Sequence, residues 1–189
     1  MTQRALVIVD FQNDYFPGGN LPLVGPDAAV ANGARVLAAA RRRGDTVIHV
    51  QHQSLAPGAT YLVPGTHGVE IHDAVRPAEG EPVVMKHFVN AFRDTELKAT
   101  LEEHGVEEIV IVGAMSHMCI AAAGRAASDF GYRTTVLHDA CATRDLEFEG
   151  SVIPAAEVHA ANMAALALAY ARVIATAEHL AAEPALSVA

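Results

Sequence analysis

Short apolar runs alternate with helical periodicity from one end of this chain to the other. Residues 5–10, 46–50, 82–85, 109–112 and 133–138 carry such runs, and Ile109, Val110, Ile111 and Val112 form the clearest. Unbroken β-branched stretches of this length predict strands buried on both faces. Between them the apolar spacing turns helical. Pro26 opens a helix with Val30, Ala34, Leu37 and Ala38 as its inward stripe and Gly44 past its end. Asp94 or Thr95 caps a second helix carrying Leu97 and Leu101 and closed by Gly105. The small residues from Ala121 to Ala127 predict a third, packed close to a sheet and ended by Gly131. Pro154 starts a fourth that runs to about Ala169, and residues 172–174 form a last short strand. Strands alternating with helices predict βαβ units, right-handed crossovers and a parallel, Rossmann-like sheet of about six strands in a three-layer α/β/α sandwich. Residues 52–81 break the rhythm, and a stretch of that length without periodicity is expected to act as a lid or pocket wall. Residues after about Ala182 read as a loose tail or a partner-contacting arm.

Composition narrows the function. All 189 residues read as one domain, since no linker, repeat or low-complexity block divides them. The net charge of −9 and pI near 5.5 argue against nucleic acid, whose phosphates need a basic surface. The cluster Arg41 to Arg43 is explained as favourable charge at a helix's carboxyl end. No membrane or targeting segment is predicted: the run from Ala5 to Val9 is too short, and the alanine-rich run near Ala160 is broken by Asn162 and Arg172. Two cysteines make no disulfide framework, which predicts a reduced, cytoplasmic protein.

Three predicted strands end in reactive residues: Asp10 after the first, Lys86 after the third and Cys119 after the fourth. In a parallel sheet these ends share one edge, so a carboxylate, an ammonium and a thiol can converge there. Each alone has a bland reading, as a turn cap, a surface charge and a small buried hydrophobe. Together they form a sensible set for nucleophilic catalysis. Lys86 and the start of the following helix favour a thiolate, which predicts a depressed Cys119 pKa, and Asp10 is placed to accept and return a proton. Cys141 follows Asp139 and Ala140 in a predicted loop and is assigned to packing.

The blocks "VIVDFQNDYF", "KHFVNAF", "GAMSHMCI" and "GYRTTVLHDACAT", with His159 on the next helix, resemble the isochorismatase-like cysteine hydrolases, which include nicotinamidases and related small-amide hydrolases. The resemblance covers almost the whole chain. It implies a catalytic triad of Asp10, Lys86 and Cys119, an oxyanion hole from the backbone N–H groups of Met115 and Cys119, and a cis peptide between Ala114 and Met115. It also implies a small-molecule substrate, hydrolysis of an amide or similar C–N bond through a Cys119 thioester, no cofactor, and a homo-oligomer, dimer or tetramer. Phe16, Phe92 and His117 are candidate substrate contacts. The nicotinamidase metal motif is Asp-x-His, whereas here Val50 stands where the aspartate belongs. His52, His67 and His72 have irregular spacing and no clear carboxylate partner beyond Glu70 or Asp73, so a metal-free site is expected. Three rival functions are isochorismate-type vinyl ether hydrolysis, which needs no cysteine nucleophile, a non-catalytic binding protein on the same fold, and a thiol redox sensor using Cys119, for which no resolving cysteine is clearly placed.

Overall fold

The computed structural model describes residues 3–182, so the tail assigned above lies outside the described residues. Six parallel strands run in the order β3 (Val83–Lys86), β2 (Thr46–His52), β1 (Arg4–Val9), β4 (Glu108–Ala114), β5 (Arg133–Ala142) and β8 (Arg172–Ile174). The alternation along β1 shows how the sheet is covered. Leu6 and Ile8 join one core, with Val30, Val36, Leu37 and Ala40 of α1 (Pro26–Arg43). Ala5, Val7 and Val9 join the other. There they meet Leu97 and Leu101 of α2 (Leu97–Glu103), Ala123 and Ala127 of α3 (Ala121–Asp129), and Met163 and Leu166 of α4 (Ala155–Ala169). A short α5 (Thr176–Ala181) packs beside α1 and β5. The fold is a three-layer α/β/α sandwich. The central strands are apolar on both faces because helices cover each face, whereas the edge strand β3 leaves Val83 and Met85 exposed.

Several boundaries shift from the sequence expectation. The α1 stripe turns on Gly33, Val36 and Ala40, and Ala38 lies exposed on the outer side. Thr95 Oγ1, rather than Asp94, accepts the N–H of Leu97 at the start of α2. A hairpin of β6 (Leu146–Phe148) and β7 (Ser151–Ile153) had no signal in the periodicity. The fifth strand extends to Ala142, past an irregularity between Ile111 and Gly113. Cys141 is therefore not in a loop: it pairs with Gly113 inside the sheet and is buried.

The long segment after β2 is pinned at both ends. Asp14 is buried and accepts from the N–H of Leu62 at 2.5 Å and of Asn20 at 3.0 Å, and from Asn20 Nδ2 at 2.9 Å. At the other end Glu81 accepts from Arg41 (2.8 Å), the N–H of Ala78 (2.9 Å) and His49 Nε2 (2.9 Å). Burial alone raises the Glu81 pKa, but these donors outweigh it and bring it from 4.5 to about 2. A folded-state value below the unfolded one stabilises the fold above the unfolded pKa, and that contribution is lost as pH falls toward 2. Glu81→Gln is thus expected to lower the denaturation midpoint at neutral pH and to converge with the wild type as both are titrated through that window. Midpoints that differ equally at neutral and acid pH would contradict this.

Candidate active site

Four neighbouring strands deliver four side chains to one edge of the sheet: Lys86 from β3, His52 from β2, Asp10 after β1 and Cys119 after β4. The direction of winding reverses between β1 and β4, which is where open α/β sheets bind ligands. Asp10 leaves β1 with φ at 52°, a left-handed conformation that a short polar side chain tolerates better than most. Its N–H still donates to Val50 O at 3.0 Å, extending the strand pairing by one step. Cys119 lies in a five-residue π-helical turn, Ser116–Ile120, that feeds α3. The peptide between Ala114 and Met115 is cis, as the resemblance implied.

Asp10 and Lys86 are fully buried and Cys119 nearly so. Lys86 Nζ stands 2.8 Å from Asp10 Oδ2 in an ion pair and 3.2 Å from Cys119 Sγ. It also lies 2.8 Å from His52 Nδ1 and 3.2 Å from Phe88 O. Apart from this ion pair with Lys86, neither Asp10 oxygen has a hydrogen-bond donor among the described residues. Burial disfavours the Lys86 ammonium, but Asp10 and Cys119 outweigh that and raise its pKa. The thiol differs from the sequence expectation. Burial first, then the Asp10 carboxylate, push Cys119 up to about 12, and Lys86 only partly offsets them. These shifts favour a thiol beside the Lys86 ammonium over a preformed thiolate.

His52, His67 and His72 lie apart. His67 pairs with Glu70 at 3.0 Å, and His72 stacks on Phe16 with ring centroids 4.1 Å apart. Only His52 reaches the cluster. Asp10, His52 and Cys119 offer donor atoms within 4.8 Å of one another, a trio of types that suits a metal ion, and the Lys86 ammonium touches all three.

The candidate substrate contacts fare unequally. Phe16 is buried against His72 and lines a cavity of about 490 Å³ with Asn13, Asn20, Thr66 and His67. Its neighbour Tyr15 lies within electrostatic reach of Asp10 and Cys119. Burial, then those two groups, push its phenol well above the usual range and keep it neutral. Phe92 packs on Phe130 and Tyr132 where α3 hands over to β5, at the opposite edge of the sheet. His117 is half-buried, with Nδ1 at 2.6 Å from Thr143 Oγ1. The turn itself is braced from α4: Ser116 Oγ lies 2.8 Å from His159 Nδ1 and donates to Ala142 O at 3.3 Å. Gln12 has no place in the sequence-derived site. It is fully buried and spans from β1 to the long loop: Oε1 accepts from His52 N, and Nε2 donates to His52 O and Val69 O.

Residues 4–178 match the family model described as the Isochorismatase domain. The chain is 48% identical to the isochorismatase family protein YddQ of Bacillus subtilis strain 168, over 89% of this chain and 94% of that one. It is 32% identical to a maleamate amidohydrolase of Pseudomonas putida, over 74% and 72% of the two chains. The crystal structure of an isochorismatase from Pseudomonas putida KT2440 superposes with a TM-score of 0.87 at 42% identity, covering 93% of this chain and 89% of that one. No helix among the described residues is long and apolar enough to cross a membrane.

Proposed function

The chain belongs to the isochorismatase family of hydrolases, and from that premise we propose that it cleaves a small amide or related C–N bond through a thioester on Cys119. The observation that carries this reading is the placing of Lys86 Nζ between Asp10 Oδ2 and Cys119 Sγ, at 2.8 Å and 3.2 Å, in a buried site. The similarity to an amidohydrolase supports the reaction class.

Attack begins from the thiol. As Sγ approaches the carbonyl carbon, Asp10 takes the sulfur's proton and the Lys86 ammonium holds the developing anion. The carbonyl oxygen becomes an oxyanion, which accepts hydrogen bonds from the backbone N–H groups of Met115 and Cys119. Collapse of this intermediate breaks the C–N bond, and Asp10 returns the proton to the leaving nitrogen. Water then attacks the thioester, with Asp10 taking its proton. Collapse releases the carboxylic acid, and Asp10 reprotonates the sulfur. A raised thiol pKa is consistent with this cycle, because the proton moves only when attack supplies the driving force.

A panel of small neutral and anionic amides, assayed for ammonia or amine release, tests the proposal. At least one is expected to be hydrolysed, with a covalent acyl adduct on Cys119 detected by rapid-quench mass spectrometry. Cys119→Ala should lose both. Turnover that survives Cys119→Ala would refute the thioester route.

A further inference from the structure

Lys86 Nζ has four neighbours able to accept a hydrogen bond and only three protons to give. They are Asp10 Oδ2 and His52 Nδ1, each at 2.8 Å, and Phe88 O and Cys119 Sγ, each at 3.2 Å. Two of these are neutral and unchanged throughout the proposed cycle. The other two, Asp10 and the sulfur, exchange one proton, so the negative charge sits on one or the other.

We infer that His52 is the positioning residue for Lys86, its unprotonated Nδ1 accepting one ammonium N–H so that another is left to follow the charge between Asp10 and Cys119. This rests on the Asp10–Lys86–Cys119 reading above. Nδ1 faces an ammonium, which can only donate, so the ring's single proton belongs on Nε2. The backbone is built to hold the imidazole there. His52 and Lys86 are register partners in the parallel β2–β3 ladder, and buried Gln12 grips both the N–H and the C=O of His52. Phe88 O anchors a second ammonium proton in the same way. Without Nδ1 the ammonium loses the acceptor that holds it on the β2 side and is drawn toward Asp10, whose carboxylate attracts it more strongly than sulfur, which lengthens its 3.2 Å approach to Cys119 Sγ. The sulfur anion is then less well stabilised.

The test uses iodoacetamide alkylation of Cys119, followed by mass spectrometry, and so needs no knowledge of the substrate. At fixed pH the rate follows the thiolate fraction, about tenfold for each unit of thiol pKa. His52→Leu is expected to slow alkylation about tenfold. His52→Asn, whose Oδ1 takes the place of Nδ1, should recover most of the loss. In a Lys86→Met background, which is itself slower, His52→Leu should change nothing further, because its effect passes through the ammonium. An undiminished rate in His52→Leu, or an equal further loss in Lys86→Met, overturns the inference. If Lys86→Met alone alkylates like the wild type, the triad reading falls and this inference with it. Nitrogen NMR of the wild-type His52 ring decides the matter even if a variant does not fold. An unprotonated Nδ1 is expected, and a protonated Nδ1 would overturn the assignment.

Discussion

Asp10→Asn should abolish amide hydrolysis while making Cys119 easier to alkylate. The two effects have opposite signs because Asp10 does two things to the thiol. As a carboxylate beside the sulfur it opposes ionisation, and with burial it holds the pKa near 12. In the proposed cycle it is also the base that removes the same proton during attack and then delivers it to the leaving nitrogen. Asparagine keeps the shape, cannot carry the proton, and removes the repulsion. Loss of general acid–base catalysis costs about 100- to 10,000-fold in turnover. The thiol, now beside the Lys86 ammonium without a competing carboxylate, should ionise at lower pH and react faster with iodoacetamide. An activated thioester substrate, whose leaving group needs no proton, should lose far less than an amide. Steady-state rates on both substrates, with the alkylation rate alongside, check all three points. If both substrates lose equally, Asp10 acts only to activate the thiol and its general-acid role must be dropped.

The second large effect is structural. At Gly113 the strand carrying Cys119 passes so close to β1 that an added Cβ would lie 1.8 Å from Val9 O, and its φ is +133°. The atom it meets is backbone in the sheet's centre, so no side chain can swing aside. Gly113→Ala is therefore expected to destabilise the fold by about 4 kcal/mol or more, enough to leave little folded protein. It would also part the two strands that bring Asp10 and Cys119 together. Gly131→Ala is the control. Its φ is +90°, but a Cβ there meets nothing within 4 Å. It should cost only the left-handed strain, about 1–2 kcal/mol, and lower the melting temperature by several degrees. Comparable melting of the two variants would mean that β1 and β4 can spread.

Local pattern explains what was legible. Unbroken β-branched runs and proline and glycine punctuation located all six strands of the main sheet and the four longer helices. These signals arise from neighbours in the chain and need no tertiary partner. The ends of strands 1 and 3 were legible too, to within one residue. Those of strands 2, 4 and 5 were not: the pattern of strand 2 stops at Val50, yet pairing with β3 and the Gln12 grip carry it on to His52, and pairing between β4 and β5 carries those two on to Ala114 and Ala142. The sequence grouped His52 with His67 and His72, and the fold separates them.

Alone, the sequence determined that a carboxylate, an amine and a thiol would sit at the carboxyl ends of parallel strands, because each follows an apolar run that must be buried. Only the tertiary structure decided the rest. Strand order puts β2 between β3 and β1, so His52 stands beside Lys86. Tyr15 comes within electrostatic reach of Asp10 and Cys119, Phe16 stacks on His72, and Phe92 packs at the far edge. The protonation of Cys119 lay furthest from the sequence. Its sign is a balance among burial, an anion and a cation, each steeply dependent on distance and dielectric, and distances across four strands exist only once the sheet has formed.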